Sequence, residues 1–157
     1  MSVFSTSTTS LYDTTIQALM EAEYKFRTTD DASIIQMGFS LENGTYQLYM
    51  KIREDRRQVL LFGYLDSKVP PDKRGQVAEV LVRANYGLLI GNFELDMDNG
   101  DLRYKTSVDV DGGQLTPKMV QNLIAVNVGT LNRYVPAVLS VIYGNVDPKD
   151  AFQKVDG

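Results

Sequence analysis

Cysteine and histidine are both missing from this chain of 157 residues, and tryptophan is missing with them. Without cysteine there is no disulfide framework, no thiolate nucleophile and no cysteine metal site. Without histidine the chain lacks the commonest general base, the commonest zinc ligand and the usual charge switch near neutral pH. Ser-His, Cys-His and His-metal mechanisms are excluded on that ground. No apolar run approaches the ~20 residues of a membrane span. The opening MSVFSTSTTS has neither a basic start nor an apolar stretch, so it does not read as a secretory signal. Residues 1–9 are expected to form a flexible polar leader, with the cytoplasm as the default location. A net charge of −4 leaves the chain without the basic footprint that non-specific nucleic-acid binding needs.

What is present fits one folded domain. The hydrophobic fraction of 43% and charged fraction of 23% are ordinary. A chain this long buries roughly 70% of its unfolded surface and can hold a core without staples. The domain is expected over residues 10–145, with residues 146–157 as a loose polar tail.

The clearest local signal is Asn99-Gly100 between two alternating runs. Asn-Gly favours a type I′ hairpin turn, which needs positive φ at both central residues. Folding there sets Met97 against Leu102, Leu95 against Tyr104 and Phe93 against Thr106 on one face. Asp96 then meets Arg103, and Glu94 meets Lys105, on the other. A second hairpin is expected at Asn43-Gly44, pairing Leu41 with Tyr46, Phe39 with Leu48, Met37 with Met50 and Ile35 with Ile52. The chain then turns through residues 54–57 into a third strand, with Met50 facing Leu61 and Tyr49 facing Phe62.

Three helices complete the pattern. Leu11, Thr15, Ala18, Leu19, Ala22 and Phe26 recur at helical spacing from Ser10, a plausible cap, to about Arg27. Pro70-Pro71 opens a second helix to about Tyr86, with Val77, Val80, Leu81 and Ala84 inward and Glu79 and Arg83 as an i,i+4 pair outward. Thr116-Pro117 starts a third that carries an apolar stripe to Gly144. Pro136 lies inside it and predicts a kink or break near Tyr134. The order is α-β-β-β-α-β-β-α, an α+β domain with an antiparallel five-stranded sheet and helices packed on it.

The third strand is unusual. Val59, Leu61 and Gly63 point one way, while Leu60, Phe62 and Tyr64 point the other. With Tyr49 they make the back face of the meander apolar, which a sheet with one wet face should not be. Either a helix or the chain's own N-terminus covers Tyr49, Leu60, Phe62 and Tyr64, or a partner or second copy does.

Candidate chemistry is thin. The cluster Asp96, Asp98, Asp101 fails the spacing of a calcium loop, as does a loop counted from Asp109. Asp30-Asp31 and Glu54-Asp55 lie at turns, where solvated acids are ordinary. No phosphate-loop motif occurs. Lys51, Arg53, Arg56 and Arg57 form the one basic cluster. No catalytic, cofactor or metal residue is assigned.

Several segments resemble the YbjN family of small bacterial proteins: residues 75–85 (GQVAEVLVRAN), 91–96 (GNFELD), 100–106 (GDLRYKT), 134–138 (YVPAV) and 142–144 (IYG). The resemblance spans about residues 10–145. It implies a sensory transduction regulator with a fold similar to type III secretion chaperones, which often dimerise and bind extended client segments. It supplies no catalytic residue. The reading is a non-catalytic, protein-binding regulatory or chaperone-like module of a bacterial cytoplasm. Its expected partner is a protein client or itself, as a homodimer or higher, with no nucleic acid, membrane or cofactor. The rival is a small-ligand protein or enzyme working with Asp, Tyr and Lys alone.

Overall fold

The computed structural model describes residues 9–156. The expected leader lies outside them apart from Thr9. The elements are α1 (Leu11–Glu21), β1 (Arg27–Thr28), β2 (Ile34–Leu41), β3 (Gly44–Arg53), β4 (Gln58–Leu65), α2 (Arg74–Gly87), β5 (Asn92–Leu95), β6 (Leu102–Asp109), α3 (Pro117–Gly144) and α4 (Pro148–Asp156). The sheet is antiparallel, in the order β1-β2-β3-β4-β6-β5. It has six strands rather than the five expected. The extra one, β1, begins at Arg27, where the first helix was expected to end, and takes in Thr28. α1 stops at Glu21, where Glu23 turns left-handed (φ 57°) and the Tyr24 N–H bonds back to Leu19 O. The released chain then pairs Arg27 with Gln36 and Thr28 with Ile35.

The register of both hairpins differs from expectation by two residues. In the first, Leu41 pairs with Gly44, so the loop is Glu42-Asn43. Neither residue takes positive φ. The turn is held from outside instead: the Asn43 N–H and side-chain amide bond to Asn132 on α3 at 3.1 and 2.9 Å. In the second, Leu95 pairs with Leu102 and Glu94 with Arg103, leaving Asp96–Asp101 as the loop. The Asp96 carboxylate accepts the N–H groups of Asp98 and Asn99, which locks this longer turn. Gly100 sits at φ 84°, and a Cβ there would lie 2.3 Å from Val69 O. A shift of two keeps every side chain on its face, so the faces stand although the partners change. Met50 opposite Leu61 and Tyr49 opposite Phe62 are as expected.

Every strand residue that is buried lies on one face, that of Ile35, Met50, Leu61, Tyr104 and Phe93. α1 and α3 pack there, with α2 and α4 beside α3. α3 begins at the Thr116 cap, whose hydroxyl accepts from the Met119 N–H. It runs on through Pro136 as one helix, without the break expected near Tyr134. The tail after Asn145 is not loose. It forms α4, which buries Ala151 and packs on α2 and α3. Its carboxylate Asp156 accepts the Tyr134 hydroxyl at 2.6 Å.

α1 starts against a carboxylate from elsewhere in the chain. Glu54, in the β3–β4 loop, accepts from the Ser10 hydroxyl and from the N–H groups of Leu11 and Tyr12 at 3.0, 3.2 and 2.8 Å. Burial alone would push its pKa up. The three donors outweigh it and hold the carboxyl below its usual 4.5. A lowered folded pKa gives stability that is present above the ordinary value and lost as pH falls through the folded one. Glu54→Ala is therefore expected to cost about 1 kcal/mol at neutral pH, the range of a helix cap and its dipole. The gap to the parent should narrow well below pH 4.5. Denaturant titrations at the two pH values check this, and a gap that ignores pH would show that the helix start does not feel the charge.

Candidate interaction face

The other face of the sheet carries no buried residue among those described, and none of the described helices covers it. The pairing lays it out in rows across the strands. One row reads Arg27, Gln36, Tyr49, Phe62, Lys105, Asn92. The next reads Gly38, Gln47, Tyr64, Arg103, Glu94, and on the other side lie Ile34, Lys51, Leu60, Ser107. Tyr49, Leu60, Phe62 and Tyr64 thus stand together at the middle of an open face. Leu60, Phe62 and Tyr64 are half-buried by their neighbours, and Tyr49 is 36% exposed.

The neighbours that shield them are charged. The Arg103 guanidinium lies over the Phe62 ring at 4.4 Å and 5.9 Å from the Tyr64 ring. It donates to the Tyr64 hydroxyl at 3.0 Å and to Glu94 at 2.8 Å. Glu94 also takes Lys105 at 3.2 Å. Burial opposes the charge on Glu94, but these two cations hold its carboxyl below the usual range. Tyr49 and Tyr64 meet edge to face at 5.8 Å. Two adjoining depressions open beside them and share Tyr64 and Asp101. One, of about 310 Å³, is bounded by Glu94, Leu95, Asp96 and Arg103; the other, of about 460 Å³, by Gln47, Tyr49, Leu65 and Asp66. The arrangement offers flat aromatic and aliphatic contact with fixed charges at its edge, which suits side chains of another chain more than a reacting centre.

The sheet edge at β5 is closed. The Asn85 carboxamide accepts the Phe93 N–H at 2.7 Å and donates to Phe93 O at 3.1 Å, standing in for a neighbouring strand. Such plugs keep an edge from pairing with other chains.

The remaining candidates are absorbed locally. Lys51 bonds Ser33 and reaches Asp31, Arg53 bonds Gln58, Arg56 pairs with Asp55 and Arg57 reaches Thr9 O. The basic cluster is therefore a set of separate local pairs. Asp31 and Asp96 accept backbone N–H groups of their own turns. Among the described residues, no three acidic side chains are placed to hold a metal ion. Burial pushes the Tyr46 and Tyr134 phenols up to about 12, so both stay protonated at neutral pH. Each serves a structural hydrogen bond, to Asn132 and Asp156. No helix is long and apolar enough to cross a membrane among the described residues. Arg103 was legible in the sequence only as a charge opposite an acid; its place above Phe62 was not.

A family model named YbjN, described as "Putative bacterial sensory transduction regulator", matches residues 13–140. No curated protein matches the chain. Among solved structures, the chain is similar to YbjN from E. coli, with a TM-score of 0.61 and 18% identity over 77% of this chain and 85% of that one. It is also similar to the HopA1-SchA chaperone-effector complex (TM-score 0.49, 18% identity, 77% of this chain and 88% of the other). The Yersinia pestis type III secretion chaperone SycH, in complex with a fragment of YscM2, matches at TM-score 0.49 and 8% identity over 76% of this chain and 94% of that one.

Proposed function

The chain belongs to the YbjN family, and from that premise we propose that it is a non-catalytic regulatory or chaperone-like module of the bacterial cytoplasm, whose open sheet face binds a protein. One observation carries the reading. The central strand β4 is apolar on both faces, and α3 covers only one of them. The uncovered side presents Leu60, Phe62 and Tyr64 beside Tyr49, with Arg103 and Glu94 at their edge. A patch of this kind on a folded domain marks an interaction surface. Large rings ringed by charge are the usual anchors of protein recognition. The absence of histidine and cysteine supports the non-catalytic half of the reading. Self-association, as a homodimer or higher, belongs to the same proposal.

The test is capture of the partner by tagged protein from its native lysate, with the Leu60→Asp/Phe62→Asp variant beside it. Neither side chain lies in the core, so the variant is expected to fold and melt within a few degrees of the parent. A stoichiometric protein partner should be lost with it, and direct titration should show an affinity weakened about 30-fold or more, the scale of anchor residues. A variant that retains its partner at parental affinity would remove the sheet face from the proposal. Capture of nothing but the chain itself, with a metabolite raising its melting temperature, would favour a small-ligand protein.

A further inference from the structure

The open sheet face carries a positive surplus on a chain that is acidic as a whole. The chain has 16 lysines and arginines against 20 acidic residues, a net charge of −4. On the uncovered face the strands place Arg27, Lys51, Arg53, Arg103 and Lys105, against Glu94 and Asp109 alone. Local pairing does not cancel the surplus. Arg27 and Arg53 are exposed and bond the neutral carboxamides of Gln36 and Gln58, at 3.2 and 3.1 Å. Lys51 is offset by Asp31 at 3.7 Å. Arg53 shares Gln58 with Asp109, which accepts from its amide at 2.9 Å. Glu94 serves Arg103 and Lys105 together, so one negative charge meets two positive ones. The surplus therefore falls on Arg27 at one side of the face and on Arg103 and Lys105 at the other. Arg27 and Lys105 stand in the same row across the strands, with Tyr49 and Phe62 between them.

We infer that the protein partner of this face presents an acidic segment, with carboxylates that meet Arg27 and Lys105 and apolar side chains between them that meet Tyr49 and Phe62. The inference rests on the sheet-face reading and adds the chemistry of its partner. Four strand spacings of about 4.8 Å set Arg27 and Lys105 roughly 19 Å apart, which an extended segment crossing the strands spans in about six residues. Side chains six apart on such a segment point the same way, as do those two and four along, so acid and apolar positions fall on one side of it. Complementary charge steers a partner in and fixes its register, while the rings supply contact area. A single-stranded nucleic acid fits the same charge but not the same rings. Its bases need open ring faces to stack on. The Arg103 guanidinium already covers Phe62 at 4.4 Å, and Tyr49 and Tyr64 stand at 81° to each other, so they cannot lie together under parallel bases.

Titration of the full chain, followed by its amide NMR signals, tests this with three probes. One is a seven-residue peptide with glutamate at both ends, leucine and phenylalanine at its third and fifth positions and serine elsewhere. Its twin carries lysine at both ends, and oligouridylate serves as single-stranded RNA. The glutamate peptide is expected to move the signals of Arg27, Tyr49, Phe62 and Lys105. It should bind at least about 10-fold tighter than its twin, an advantage that shrinks at high salt. Arg27→Glu/Lys105→Glu should reverse the preference. Arg27 is exposed, and Glu94 keeps Arg103 as its partner, so the variant is expected to fold. A gained affinity for the lysine peptide cannot come from a misfolded chain. Equal binding of the two peptides, a glutamate peptide that fails to bind in the millimolar range, a preference that does not reverse, or tighter binding of oligouridylate overturns the inference. The sheet-face reading fails separately. A captured protein lost with Leu60→Asp/Phe62→Asp but kept by Arg27→Glu/Lys105→Glu leaves the face as the site and removes the acidic segment.

Discussion

Replacing Gly63 by alanine is expected to destabilise the protein by about 3 kcal/mol, at the upper end of overpacking costs. That corresponds to a fall of roughly 10 °C in melting temperature for a domain of this size. Gly63 is a buried residue in the middle of β4, on the side covered by α3. A Cβ there would lie 2.2 Å from Asn127 Oδ1 and 3.4 Å from Leu131 Cδ2. Asn127 cannot swing aside cheaply. It is fully buried, and its amide donates to Leu61 O, Tyr104 O and Thr106 Oγ1 at 3.2, 3.0 and 3.2 Å. Thr106 in turn donates to Leu123 O at 3.1 Å, so the sheet is tied to α3 through both the asparagine and the threonine. Its Oδ1 has no hydrogen-bond partner. A glycine in a strand interior marks a close approach, and here the approach is that oxygen over the bare Cα. The cause is checked by a double-mutant cycle. Asn127→Ala alone should cost about 2 kcal/mol through its lost hydrogen bonds. Gly63→Ala added to it should then cost almost nothing more, since the obstacle is gone. Strict additivity in urea denaturation would show that Gly63 is needed for another reason.

That contact also marks where the sequence stops being readable. Gly63 was legible as a strand residue on the core face, because Val59 and Leu61 share its alternation. The asparagine above it was not, since no period links residues 64 apart. The hairpins divide in the same way. Alternation fixed which side chains share a face, and a shift of two residues preserves that. The partners depended on loop length, and loop length depended on the Asn132 bonds to Asn43 and the Asp96 bonds to Asp98 and Asn99. Asn-Gly turn preference lost to those contacts at both sites. β1 has two residues and no pattern to show. The apolar back of β4 was legible for the opposite reason: consecutive apolar residues contradict a half-wet strand whatever the register. Its four residues do stand together on one face.

The tail shows most sharply how packing can outweigh local signal, and Ala151→Asp is expected to undo it. α4 has nine residues, fewer than the ~12–15 at which a helix begins to hold in water. Its composition is polar, so it read as loose. What keeps it helical is contact. Asp147 caps it by accepting the Lys149 and Asp150 N–H groups at 3.0 and 3.4 Å. Ala151 is 2% exposed, with Phe152 and Val155 partly buried around it. Asp156 pins the far end through the Tyr134 hydroxyl at 2.6 Å and Arg133 at 3.7 Å. A carboxylate at position 151 would enter the core beside α2 and α3 without a partner, at a cost of about 3 kcal/mol. The helix can escape that cost only by leaving. The expected result is a melting temperature lower by roughly 6–12 °C, with amide protection lost through Pro148–Asp156 and kept in β4. Phe152→Ala, which removes a half-buried ring without adding charge, should lower stability by about half as much and leave α4 protected. Freed of α4, the Tyr134 phenol should also titrate below its folded value of about 12, because the burial that raises it most would ease and the hydrogen bond and negative charge of Asp156 would be gone. Protection of the α4 amides equal to the parent's would mean that the segment tolerates a charge at its seam, and that the buried face of Ala151 does not hold it in place.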